Sequence, residues 1–273
     1  MNVAYTLSGF FVGLLVGVTG VGGGSLMTPL LVFLFGFKPS VAVGTDLLFA
    51  AITKTSGVWV HHTKHGSVDW KVVAWLALGS IPFAVMTLLA LKHFMEIGQE
   101  TSGAITFTLG VALLLTAASL LVRSVLMRNA AKNKIDDSFD DDVDEDLEVI
   151  GRFHHLQIPA TIFVGALLGI LVTLSSVGAG ALGTVALLFL YPKMKTVKIV
   201  GTDLAHAIPL TAVAGLGHLS LGNVDVVLLG SLLVGSLPGI WIGSHLSAKI
   251  PEWLLRPVLA SLLLVIGIKF VLQ

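Results

Sequence analysis

The sequence predicts an all-α integral membrane protein of two inverted repeats, each a glycine-broken helical hairpin followed by three transmembrane helices. Three observations lead there: too little charge for a water-covered surface, apolar runs of bilayer length, and a chain that repeats itself at one spacing. Of 273 residues, 55% are hydrophobic and 12% charged, and the mean hydropathy is +0.94. Soluble domains carry about 25% charged residues, so lipid has to cover this one. The apolar segments fall at about 4–19, 24–37, 41–61, 71–92, 102–127, 158–175, 180–191, 198–217, 226–247 and 254–272. A helix of about 20 such residues spans about 30 Å of hydrocarbon. Period-two alternation is missing, which leaves a β-barrel without support. A backbone facing lipid must satisfy itself, and helices do so.

The duplication is read from ordered matches. Val21-Gly22-Gly23-Gly24 corresponds to Val177-Gly178-Ala179-Gly180, and Val43-Gly44-Thr45-Asp46-Leu47 to Val200-Gly201-Thr202-Asp203-Leu204. His62 matches His218, Gly66-Ser67-Val68-Asp69 matches Gly222-Asn223-Val224-Asp225, and Gly79-Ser80-Ile81-Pro82 matches Gly235-Ser236-Leu237-Pro238. The spacing is 156 throughout, with a one-residue drift around the Thr-Asp pair. The halves are therefore 1–127 and 157–273, joined by a linker at 128–156.

Counting Lys and Arg decides their orientation. If each glycine-rich segment is a hairpin that enters and leaves on one side, three crossings follow it and the halves are inverted. Lys38, Lys92 and Lys269 then share one side, Lys54 lies within the membrane, and the other twelve basic residues share the opposite side. If each segment is instead one kinked crossing, the loops divide into seven and eight, without bias. An excess of basic residues marks the cytoplasm, so inversion is selected. The linker is then cytoplasmic, both termini are outside, and the first apolar segment is retained rather than removed as a signal peptide. Nine of the 16 acidic residues fall between Asp136 and Glu148 in that linker. Such a run repels itself and reads as a solvated loop; it lacks the central Gly and alternating ligands of a calcium loop.

With no cysteine, disulfides, thiolate metal sites and cysteine nucleophiles are excluded. No nucleophile–base arrangement and no phosphate loop is visible, which argues against an enzyme and against direct use of ATP. Basic residues sit at helix ends, so nucleic acid is not an expected partner. No cofactor and no metal is expected. His61-His62-Thr63-Lys64-His65 has metal-ligand residues, but at a helix end without a fixed carboxylate.

The candidate site starts from the glycine breaks. Glycines allow a tight reversal and leave bare N–H groups at the start of the next half-helix, where a partial positive charge suits an anion. Gly22, Gly23, Gly24, Gly178 and Gly180 are the candidates, against a reading in which they only let helices pack closely. Thr45 and Thr202 would offer hydroxyls to the ligand. Asp46 and Asp203 are coupling candidates, or else caps of their own helices. Lys54, in mid-span, would be the counter-charge of an anion, or else half of a structural ion pair with Asp46 or Asp203. His206 is a further coupling candidate, one turn after Thr202.

These motifs together resemble the sulfite exporter TauE/SafE family of membrane transporters. The pieces are Gly17 through Gly24 with Pro29, Ala42-Val43-Gly44-Thr45-Asp46, Gly66-Ser67-Val68-Asp69-Trp70, Gly79-Ser80-Ile81-Pro82 and their second-half echoes. The resemblance implies a multi-pass transporter of sulfite, sulfonates or related organic anions in the cell (inner) membrane. The long acidic linker and the degraded glycine run Val177-Gly178-Ala179-Gly180 depart from the family pattern. The expectation is a secondary transporter of a small anion working by alternating access, with lipid around it and a coupling proton as a candidate partner; a homo-oligomer is left open. The alternatives are an anion channel of the same fold, and a proton- or cation-coupled carrier using Asp46 and Asp203.

Overall fold

The computed structural model describes residues 3–19, 24–65, 68–99, 101–136, 156–246 and 252–272. Among these residues there are helices and no strand. The first half supplies α1 (Val3–Thr19), α2 (Gly24–Phe35), α3 (Pro39–His65), α4 (Trp70–Glu96) and α5 (Ser102–Asp136). The second supplies α6 (Gln157–Ser175), α7 (Leu182–Leu190), α8 (Thr196–Ser220), α9 (Val226–Leu246) and α10 (Glu252–Val271). Five described segments are long and apolar enough to cross a membrane: α4, the first 21 residues of α5, α6, α8, and Val226–Gly243 of α9. Their outward faces carry large apolar side chains such as Leu89, Phe163, Leu216 and Trp241, as lipid contact requires. Helix α5 continues to Asp136, into the stretch assigned to the linker; residues 137–155 lie outside the described set.

Each half opens with a pair of helices that fold back on one another, α1 with α2 and α6 with α7. Helix α2 has 12 residues and α7 has nine, about 18 and 14 Å, too short to cross. Each returns to the level where its partner began. Tyr5 at the start of α1 stacks edge-on against Phe35 at the end of α2, 5.0 Å between centroids. In the second half, Gln157 donates to the Leu190 carbonyl at 3.0 Å, and the Thr161 and Tyr191 hydroxyls pair at 2.8 Å.

The first arm of each hairpin packs on the other half. Gly9 and Gly13 of α1 lie against the backbone of Leu232 and Ser236 in α9, while Gly235 and Gly239 face Thr6 and Phe10. The mates repeat the pattern: Gly165 and Gly169 of α6 meet Leu76 and Ser80 of α4, and Gly79 meets Ile162. A Cβ at any of these positions would collide with backbone, so the glycines set the interhelical distance. Register rises together along both seams, so the paired helices run parallel. The matching helices of the two halves run antiparallel instead. Gly44 meets His218 and Leu48 meets Gly215 between α3 and α8; Gly110 meets Val271 and Leu114 meets Gly267 between α5 and α10. The core shared across the seam includes Val43, Leu47, Leu168, Val172, Ala207 and Leu210, all buried.

Candidate functional site

The antiparallel pair α3/α8 brings the polar candidates to the middle of the molecule. Asp46 and Asp203 are each the eighth residue of their helix, too deep to cap it. That reading is corrected: each carboxylate serves the hairpin of its own half. Thr28 of α2 donates to Asp46 Oδ2 at 2.6 Å, and Thr184 of α7 donates to Asp203 Oδ2 at 2.7 Å. Thr28 and Thr184 are themselves 156 residues apart, a match in the duplicated pattern that could have pointed to them.

Lys54 is 4% exposed. Its ammonium donates to the Ala179 carbonyl at 2.8 Å, so its hydrogen bond is to the second glycine turn and not to either aspartate. Asp203 and Asp46 are both close enough for their charge to act on it. The lysine thus joins the middle of one half to the hairpin tip of the other. Its mate at the drifted spacing, Thr211, bonds only to carbonyls of its own helix, Ala207 and Ile208.

The second tip is built by backbone that only a special sequence tolerates. Ser176 takes a left-handed conformation with φ 58°, and Gly178 and Gly180 lie at φ 113° and 122°, where a side chain would be strained. The Gly178 carbonyl receives the amides of Leu182 and Gly183, and the Gly180 carbonyl receives the Thr184 hydroxyl at 2.7 Å. The amides of Gly178, Ala179, Gly180 and Ala181 make no hydrogen bond among the described residues, and all four residues are buried. Buried amides are nearly always paired, so a run of four is a place where a ligand's acceptors fit. The Ser176 hydroxyl lies close to the Asp46 carboxyl, and Ser176 Oγ and Asp46 Oδ1 are both buried without a hydrogen bond.

Of the other candidates, Gly22 and Gly23 lie outside the described residues, Gly24 opens α2, and the side chains of His61, His62 and His65 lie outside the described set. His206 is fully buried and pairs its Nε2 with Ser80 Oγ at 2.8 Å, across the halves; its Nδ1 has no partner. Its mate is Phe49, so this pair too is one-sided. Thr45 and Thr202 do not join the turn amides directly. Each accepts a backbone N–H from the opposite half: Asp225 to Thr45 at 3.1 Å, Asp69 to Thr202 at 2.9 Å. Lys198 holds Asp69 at 2.8 Å. That hydrogen bond, with those from the Val72 and Lys71 amides, keeps the Asp69 carboxyl below its ordinary value.

Comparison with known proteins places this architecture. The family model described as sulfite exporter TauE/SafE matches residues 5–270. The chain belongs to that family. It is a multi-pass membrane transporter, not an enzyme, embedded in a lipid bilayer and serving a small substrate. Within the family, it is 41% identical over 271 residues to the probable membrane transporter protein YjnA of Bacillus subtilis, covering 99% of this chain and 100% of that one. It is 26% identical to the probable membrane transporter protein YdhB of the same organism, over 93% of this chain and 96% of the relative. The probable membrane transporter protein MJ0441 of Methanocaldococcus jannaschii is also 26% identical, over 95% and 91%. No solved structure matches.

Proposed function

We propose that this family member is a secondary transporter moving a small oxyanion, with sulfite or a sulfonate as the substrate class, across the cell membrane by alternating access. The observation that carries the reading is the second hairpin tip: four buried amides that make no hydrogen bond among the described residues, beside the Lys54 ammonium. Amides and an ammonium together bind negative charge well where water is excluded. Gly22, Gly23 and Gly24, the sequence mates of that tip, are the further substrate-binding candidates. The halves are inserted in opposite orientations, a reading supported by hairpins that close on themselves and by the antiparallel α3/α8 and α5/α10 pairs. The 128–156 stretch is then cytoplasmic. Because α1 is locked to α9 and α6 to α4, the bodies that rock are composites of both halves.

Charge balance argues for coupling. Asp46 and Asp203 outnumber Lys54, and an arriving anion adds to the excess of negative charge in a medium that screens poorly. A proton taken up with the anion relieves it. Asp46 Oδ1 and His206 Nδ1, both buried and without partners, are the atoms that would carry it.

Two measurements test the proposal. Sulfite, sulfate, a short sulfonate and nitrate are titrated against the detergent-purified protein while its melting is followed. A ligand at 100 times its Kd stabilises the folded state by about 2.7 kcal/mol. Stabilisation by a sulfur oxyanion, lost in Lys54→Ala, supports the reading; indifference to all four anions sinks it. Counterflow in liposomes then separates carrier from channel, since only a carrier saturates and exchanges. The excess of carboxylates keeps a cation carrier as the second reading, and proton-driven flux with no anion requirement would establish it.

A further inference from the structure

The seam between α3 and α8 is held near each end by one amide-to-threonine bond, and the two ends differ. At one, Asp225 N–H donates to Thr45 Oγ1 at 3.1 Å, and the Asp225 carboxylate only caps its own helix through Leu228. At the other, Asp69 N–H donates to Thr202 Oγ1 at 2.9 Å, and Lys198 Nζ also binds Asp69 Oδ2 at 2.8 Å. Lys198 lies one turn before Thr202, so the same face of α8 grips the Asp69 segment by main chain and by side chain. Asp69 is fixed in turn, because its Oδ1 accepts from the Lys71 and Val72 amides and caps α4. The position on α3 that matches Lys198 is Val41, which offers nothing to Asp225. Behind the ion pair, Val68, Val73 and Ala205 form a small buried cluster.

We propose that Lys198 and Asp69 are positioning residues that hold the Asp69–Thr202 end of the pathway shut more firmly than the Thr45–Asp225 end. Opening there has to part a charged pair as well as a neutral hydrogen bond, whereas the opposite end parts the neutral bond alone. The side chains are 43% and 24% exposed, so the pair is partly shielded from water and adds a bias rather than a permanent lock. This inference rests on the reading of the molecule as a two-ended carrier, but not on the identity of its substrate.

The cysteine-free chain makes the test direct. Ala205→Cys reports on the Lys198 end and its repeat mate Leu48→Cys on the other end; labelling by a charged maleimide is timed in lipid nanodiscs, where both faces are open to reagent. Lys198→Ala and Asp69→Asn are each expected to speed labelling of the Ala205→Cys thiol about two- to fivefold. The Leu48→Cys thiol should label no faster, because a bias toward one open end is taken from the other. Lys198→Arg, which restores the pair, should return the rate toward its starting value. Unchanged labelling at Ala205→Cys, equal acceleration at both reporters, or the same acceleration in Lys198→Arg would each overturn the proposal. Labelling needs no substrate, so failure here leaves the anion reading standing, and failure to find anion transport leaves this result standing.

Discussion

Asp46 and Asp203 take the same hydroxyl in the two halves, from Thr28 at 2.6 Å and Thr184 at 2.7 Å. Eight residues further along each helix the likeness ends: the first half has Lys54, which reaches the Ala179 carbonyl, and the second has Thr211, which bonds to its own helix. The second half answers with His206 where the first has Phe49, paired to Ser80 across the seam. The duplicated part of the molecule is its scaffold: hairpins, glycine seams and the carboxylates that hold them. In the site proposed above the chemistry is divided, with the cation from one half and the histidine from the other. Symmetry places the two carboxylates, and departures from symmetry add the cation and the histidine.

The sharpest way to break this comparison is at the seams. Gly9→Leu and Gly165→Leu each drive a side chain into facing backbone, at Leu232 and Leu76, and both should abolish the folded species on size-exclusion chromatography. Gly230→Leu, with open space around it, should elute like wild type. If only one of the two glycines mattered, the scaffold would not be equivalent. Next comes the charge. Lys54→Ala should weaken anion binding about 10- to 100-fold, as loss of a charged hydrogen bond of about 1.5–3 kcal/mol implies. Thr211→Ala should leave binding unchanged, both read by calorimetry. A smaller and equal effect is expected for the shared hydroxyls. Thr28→Val and Thr184→Val each leave a buried carboxylate oxygen without its donor, which costs about 1–3 kcal/mol, seen as matched falls in melting temperature.

The smallest effect is one of pH. The Asp69 carboxyl titrates below its ordinary value in the folded protein because Lys198 and two amides favour its charge. Its contribution is therefore complete above the unfolded carboxyl value, about 4. It is lost as pH falls through the lower folded value. Melting of wild type should decline more steeply than that of Asp69→Asn as pH drops toward 3. Parallel curves would mean the carboxylate contributes nothing.

The scaffold was largely legible because its signals are local or repeated. Apolar runs at 24–37 and 180–191 became α2 at Gly24–Phe35 and α7 at Leu182–Leu190, both shorter than the run of about 20 residues that spans a bilayer. The candidate residues could be named from the sequence, but their contacts could not. Lys54 stood out as a charge in mid-span, yet its acceptor is 125 residues away and is a carbonyl, which no side-chain pattern announces. Asp46 looked like a cap because an aspartate near a helix start is one; its true donor on α2 depends on how the hairpin lies against α3. The Lys198–Asp69 pair escaped for a different reason. Loop lysines were counted for topology, and a count discards which carboxylate each one meets.

The exchange of hairpin arms also sets an order of events during synthesis. Helix α1 finds its glycine-fitted neighbour only in α9, more than 200 residues later in the chain. A ribosome adding about 5–20 residues per second takes roughly 10–40 s to cover that distance. Through that interval a freshly inserted helix waits beside lipid or a chaperone with Gly9 and Gly13 uncovered, and the amino-terminal half cannot be completed before the carboxyl-terminal half exists.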